Sequence, residues 1–128
     1  MNEKSVLVHG TPSPLESIAV SEYWKGNLLH NNSGNVAFPY GIFRNLTSPT
    51  QEVISDWYGA RLPPAEEVNE RYSMYVMPMA NDFGAHFSNE MKRLTAYIKK
   101  LKIPVVVVGI GGAFSENDCF DVPKPFDR

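Results

Sequence analysis

Cysteine is almost missing from this chain, and that scarcity is the first of several that narrow what it can be. The single Cys119 leaves no internal disulfide and no multi-cysteine zinc centre to consider. Histidine is scarce too, at positions 9, 30 and 86, and no metal-ligand spacing emerges from three such scattered residues. No apolar run approaches the ~20 residues that cross a bilayer. The start, Met1-Asn2-Glu3-Lys4-Ser5, lacks the charged-then-apolar order of a signal peptide. Neither charge dominates: 12 basic and 14 acidic residues leave a net charge of −2, without the basic face that phosphate contacts demand. There is no Gly-x-Ser-x-Gly elbow and no Gly-Lys-Ser/Thr to end a P-loop. The expectation is a soluble, cytoplasmic protein with no metal, no nucleic-acid partner and no transmembrane segment.

What is present is enough apolar material, 43% of 128 residues, for one real core. Residues 5–9, Ser-Val-Leu-Val-His, predict a short strand ended by Gly10-Thr11-Pro12. From Asn35 the spacing of Val36, Tyr40 and Phe43 predicts a helix that tolerates Pro39 within its first turn. A second helix is expected over 50–57, capped by Ser48 or Thr50 and stopped by Gly59. Pro63-Pro64 opens a third, whose Glu66 and Glu67 complement the dipole. Residues 73–77 read as a strand. The helix from Ser88 to Lys100 carries a stripe of Met91, Leu94, Ile98 and Leu101, with Ser88 as its cap. Residues 104–109 contain Val105-Val106-Val107-Val108, a run suited to a strand covered on both faces. Strand 73–77, helix 88–100 and strand 104–109 form a βαβ unit with parallel strands. The fold class is therefore α/β: a Rossmann-like parallel sheet flanked by helices. The stretch 114–128, with Pro123 and Pro125, shows no period.

Three stretches could carry chemistry. The first is the turn Gly109-Ile110-Gly111-Gly112, at the carboxyl end of a parallel strand, where ligands of open α/β sheets bind. A dinucleotide fingerprint needs glycine where Phe114 stands, so NAD binding is not expected and a plain tight turn competes with a binding turn. The second is His30-Asn31-Asn32-Ser33-Gly34-Asn35, whose amides suit sugar hydroxyls or anions as well as a simple helix start. The third is Met79-Ala80-Asn81-Asp82-Phe83-Gly84-Ala85-His86. There Asp82 and His86 could form an acid–base pair and Asn81 could bind a sugar, or they could cap a loop and face solvent. Glu116 and Asp118 follow the glycine turn, and Trp24 and Trp57 could stack on sugar rings or fill the core.

Taken in order, Asn32-Ser33-Gly34-Asn35, Ala80-Asn81-Asp82-Phe83 and Ile103-Pro104-Val105-Val106-Val107-Val108-Gly109-Ile110-Gly111-Gly112 resemble motifs of the polysaccharide pyruvyl transferase family over residues 25–115. Gly112 and Ala113 depart from that family, which often has Ala and then Gln at these two places. The resemblance implies the N-terminal half of a glycosyltransferase-B-type α/β protein. Residues 1–24 would be an extension, 25–115 the domain, and 116–128 a tail toward a second domain lying beyond Arg128. It implies transfer of a pyruvyl group from phosphoenolpyruvate to a sugar or polysaccharide acceptor, with no cofactor. Asn32, Gly34, Asn35, Asn81, Asp82, Gly109, Gly111 and Gly112 would bind substrate, and Asp82 and His86 are the catalytic candidates. A non-catalytic sugar- or nucleotide-binding module and a glycosyltransferase of related fold are the alternatives. A half-domain also exposes apolar surface, which makes homo-oligomerisation an expectation.

Overall fold

The computed structural model describes residues 4–10, 13, 34–56, 62–79 and 87–109. They form strands β1 (Ser5–Val8), β2 (Val53–Ser55), β3 (Tyr72–Pro78) and β4 (Val105–Val108), and helices α1 (Gly34–Leu46), α2 (Ala65–Arg71) and α3 (Ser88–Ile98). The four strands make one all-parallel sheet in the order β2-β1-β3-β4. The expected βαβ unit is present, with Tyr75 opposite Val105 and Met77 opposite Val107.

The order explains where the helices lie. From β1 the chain crosses one way to β2, then returns past β1 to β3 and continues to β4. Right-handed crossovers running in opposite directions place their helices on opposite faces. Accordingly, Phe43, Ile42 and Leu46 of α1 pack on Val6, Val8 and Val76. Ala65 and Val68 of α2, with Leu94 and Tyr97 of α3, pack on Leu7, Tyr75 and Met77 across the sheet. Leu7, Val8, Tyr75, Val76 and Met77 are all but inaccessible, so β1 and β3 carry the core.

Several expectations need correction. Of the helix foreseen over 50–57, residues 50–56 are instead a turn followed by β2, and Trp57 lies outside the described residues. Ser48 Oγ does accept backbone N–H groups, from Thr50 at 3.3 Å and Gln51 at 3.0 Å, but it closes a turn instead of opening a helix. Val53 and Ile54 then pair with Val6 and Leu7, where β-branched residues fit best. The valine run is not covered on both faces: β4 is the outermost described strand, and Val106 and Val107 are 37% and 38% exposed. In α1, Tyr40 faces solvent while Ile42 and Leu46 join Phe43, and Pro39 falls in the second turn, where it cannot donate to the carbonyl of Asn35. Ser88 is the first helical residue of α3, after Phe87 at the cap position with no side-chain cap bond. The apolar stripe of α3 holds, with Tyr97 added.

One tie was not foreseen. Asn69 on α2 accepts from the Lys102 N–H at 2.6 Å and donates to the Lys100 carbonyl at 3.1 Å, fixing the turn between α3 and β4.

Candidate functional site

In a parallel sheet every strand ends on the same rim, and the crossing point between β1 and β3 opens a crevice there. Three side chains converge at this rim. His9 follows the last residue of β1 and extends the ladder by donating its N–H to the Val76 carbonyl at 2.8 Å. Asp56 follows β2 and does the same to the Val8 carbonyl at 3.1 Å. Tyr75, inside β3, sends its hydroxyl up the same face.

The contacts form a closed triangle. Tyr75 Oη lies 2.7 Å from His9 Nδ1 and 3.1 Å from Asp56 Oδ2, and His9 Nδ1 lies 3.1 Å from the same carboxylate oxygen. The other oxygen, Oδ1, accepts the Gly10 N–H. Gly10 has φ of 62°, a left-handed backbone that glycine adopts readily. Burial decreases outward: Tyr75 is inaccessible, the Asp56 side chain is 8% exposed and that of His9 is 19% exposed. The imidazole is the member nearest solvent.

Proton positions follow from counting donors. An ionised Asp56 only accepts, and Tyr75 has one proton to give. If that proton went to Nδ1, two acceptors would face each other at 3.1 Å and Oδ2 would have no donor. We therefore assign the Tyr75 hydroxyl as donor to Asp56, and the proton of neutral His9 to Nδ1, which donates to Tyr75. Burial, then the charge of Asp56 and the bond to it, push the Tyr75 phenol well above its usual range, so Tyr75 stays protonated in this role. Among the described residues Nε2 of His9 has no recorded partner.

Helix α3 closes one side. Its Glu90 and Arg93 pair, with Arg93 Nε 2.9 Å from Glu90 Oε2. That bond holds the Glu90 carboxyl below the usual carboxylate range, with a smaller pull from His9 nearby. Behind the triangle Tyr97 meets Tyr75 edge-on at 5.9 Å, and its buried hydroxyl has no hydrogen-bond partner among the described residues.

Of the residues foreseen from sequence, Gly34 and Asn35 do open α1, as its first two residues, and Gly109 follows β4 with φ of 64°. Phe38, further along α1, packs against Gly109, and its ring leaves no room for a Cβ there. Asn32, Asn81, Asp82, His86, Gly111 and Gly112 lie outside the described residues, as do Glu116, Asp118, Trp24 and Trp57. The triangle itself was not foreseen. The available signal was a His-Gly pair directly after a buried strand, and an Asp at the end of a Val-Ile-Ser run.

An apolar groove of about 380 Å³ lies on the opposite face, between Phe38 and Ile42 of α1 and Val106 and Val108 of β4. Among the described residues no group of three or more metal-ligating side chains occurs, and no helix is long and apolar enough to cross a membrane. Compared with protein-family models, with curated proteins and with solved structures, the chain matches none.

Proposed function

We propose that this chain is the N-terminal, acceptor-side part of a transferase that moves a pyruvyl group from phosphoenolpyruvate to a sugar of an exopolysaccharide or cell-surface polysaccharide. The observation that carries the reading is that the helix opened by one family-like stretch packs on Gly109 of another through Phe38, a residue outside both. The helix, opened by Gly34-Asn35, and Gly109 meet there beside a parallel sheet of the expected class. The sheet offers a rim for an acceptor, as Rossmann-like halves of glycosyltransferase-B-type proteins do.

The chemistry balances without an oxidant or reductant. Two acceptor hydroxyls form C–O bonds to the enol carbon, the bond to phosphate breaks, and the methylene carbon becomes a methyl. One hydroxyl proton accounts for the methyl, and the other leaves with phosphate. The donor's carboxylate and phosphate call for Arg or Lys clamps. Arg71 and Arg93 each pair with a glutamate of their own helix on the exposed surface.

Phosphoenolpyruvate and oligosaccharide acceptors, incubated with the product of the whole reading frame, should release phosphate together with a new ketal methyl signal in NMR. Absence of ketal sinks the reading. Calorimetric sugar binding without any dependence on donor would favour the binding module, and a thermal shift with nucleotide sugars would favour a glycosyltransferase.

A further inference from the structure

The geometry points to His9 as the residue that takes the proton from the attacking sugar hydroxyl, with Asp56 and Tyr75 as positioning residues that hold its ring. The choice of substrate rests on the transferase reading above; the state of the imidazole does not.

Four observations converge. His9 stands at the carboxyl end of β1, beside the crevice between β1 and β3 where the strand order reverses. Its Nδ1 is tied to Tyr75 Oη at 2.7 Å and Asp56 Oδ2 at 3.1 Å, so the neutral ring keeps its lone pair on Nε2. Asp56 is anchored in turn by the Gly10 N–H and by Tyr75, which leaves the imidazole little freedom to rotate. Of the three side chains, His9 is the most exposed.

Among the described residues, Asp56, just after β2, and Glu90 on α3 are the acidic groups placed near the ring. Arg93, the nearby cation, is occupied by Glu90. Tyr75 is neutral. The step itself is simple: the hydroxyl O–H bond breaks, an Nε2–H bond forms, and the electron pair stays on the oxygen that bonds to the enol carbon. His9 then returns this proton to the departing phosphate, while the proton of the second hydroxyl balances the one gained by the methylene carbon.

The test combines spectroscopy and turnover. Long-range proton–nitrogen NMR of the full chain, with His9 assigned by the signals lost in His9→Gln, should show the neutral ring protonated on Nδ1. Asp56→Asn should weaken that preference. A proton on Nε2 in the unmodified chain overturns the assignment. In phosphate release from phosphoenolpyruvate with methyl glucoside as acceptor, His9→Gln should lower kcat by ~100-fold or more, with KM for the sugar little changed. A kcat within a few-fold of the unmodified chain overturns it as well. Melting temperatures are read alongside, and Tyr75→Phe, which removes one hydroxyl, replaces His9→Gln if that variant fails to fold. If the unmodified chain releases no phosphate, the transferase reading fails separately, and methyl glucoside is titrated against the His9 nitrogen signals. A shift at Nε2 keeps His9 as the hydroxyl-facing base, and an unmoved signal removes it.

Discussion

Gly10 and Gly109 share a backbone conformation but not surroundings, and alanine at each should separate two reasons for glycine. Their φ angles are 62° and 64°. Among the described residues a Cβ at Gly10 would meet nothing within 4 Å, whereas one at Gly109 would lie 2.0 Å from Cζ and 2.3 Å from Cε2 of Phe38. Gly10→Ala therefore reports the left-handed backbone alone, ~1–2 kcal/mol. Gly109→Ala adds displacement of the Phe38 ring by more than an ångström, an overpacking cost of ~1–3 kcal/mol. Removing the ring isolates the second part. In a Phe38→Ala background, Gly109→Ala should fall to the Gly10 value, a coupling of ~1–3 kcal/mol in the double-mutant cycle. Urea midpoints at a common m-value measure all the variants. If Gly109→Ala costs no more than Gly10→Ala, or if removing Phe38 does not relieve it, close approach is not what requires glycine beside α1.

Tyr97→Phe should stabilise the chain by ~1 kcal/mol or more in thermal unfolding, because it removes a buried hydroxyl that has no partner among the described residues; a loss would reveal an acceptor. Asn69→Ala should cost ~1–3 kcal/mol, because two backbone groups lose their partner, and should speed hydrogen exchange at the Lys102 amide. Tyr75 holds its proton more tightly folded than unfolded, so its contribution is complete below the ordinary phenol value and is lost as pH rises above it. Stability should fall by about 1.4 kcal/mol for each pH unit above ~10 on account of this residue, a slope that Tyr75→Phe abolishes in alkaline urea titrations.

The α/β class was legible because β3, α3 and β4 each follow a strong local pattern: an apolar run, a helical stripe and a β-branched run, separated by short turns. Strand β2 was not. Three residues are too few for a period, and Ser48 followed by Gln51 and Glu52 mimics a helix start when only local chemistry is read. That misreading also hid the site. A helix over 50–57 gives Asp56 no reason to stand beside His9, and a single histidine at the end of a strand carries no local signal of its partners. Tyr75 was hidden differently, since its hydroxyl reaches the rim from inside a strand whose other residues fill the core. A hydrogen-bonded triangle drawn from three strands separated by 47 and 19 positions is a property of register, which local sequence does not encode.

Strand order accounts for both the exposed valines and the position of the site. Because β1 and β3 occupy the middle, Val8 and Val76 lie between α1 on one face and α2 with α3 on the other, and the crevice falls between their ends. Because β4 is outermost among the described strands, Val107 has the composition of a core residue without its burial. The same change at the two places should thus have different effects. Val76→Thr puts a hydroxyl at a site 1% exposed and should cost ~1–3 kcal/mol. Val107→Thr, at 38% exposure on a strand where threonine is well suited, should stay within ~0.5 kcal/mol of the unmodified chain. Equal losses in urea unfolding would mean that β4 is covered as fully as β3, and that the crevice between β1 and β3 is not where the sheet concentrates its core.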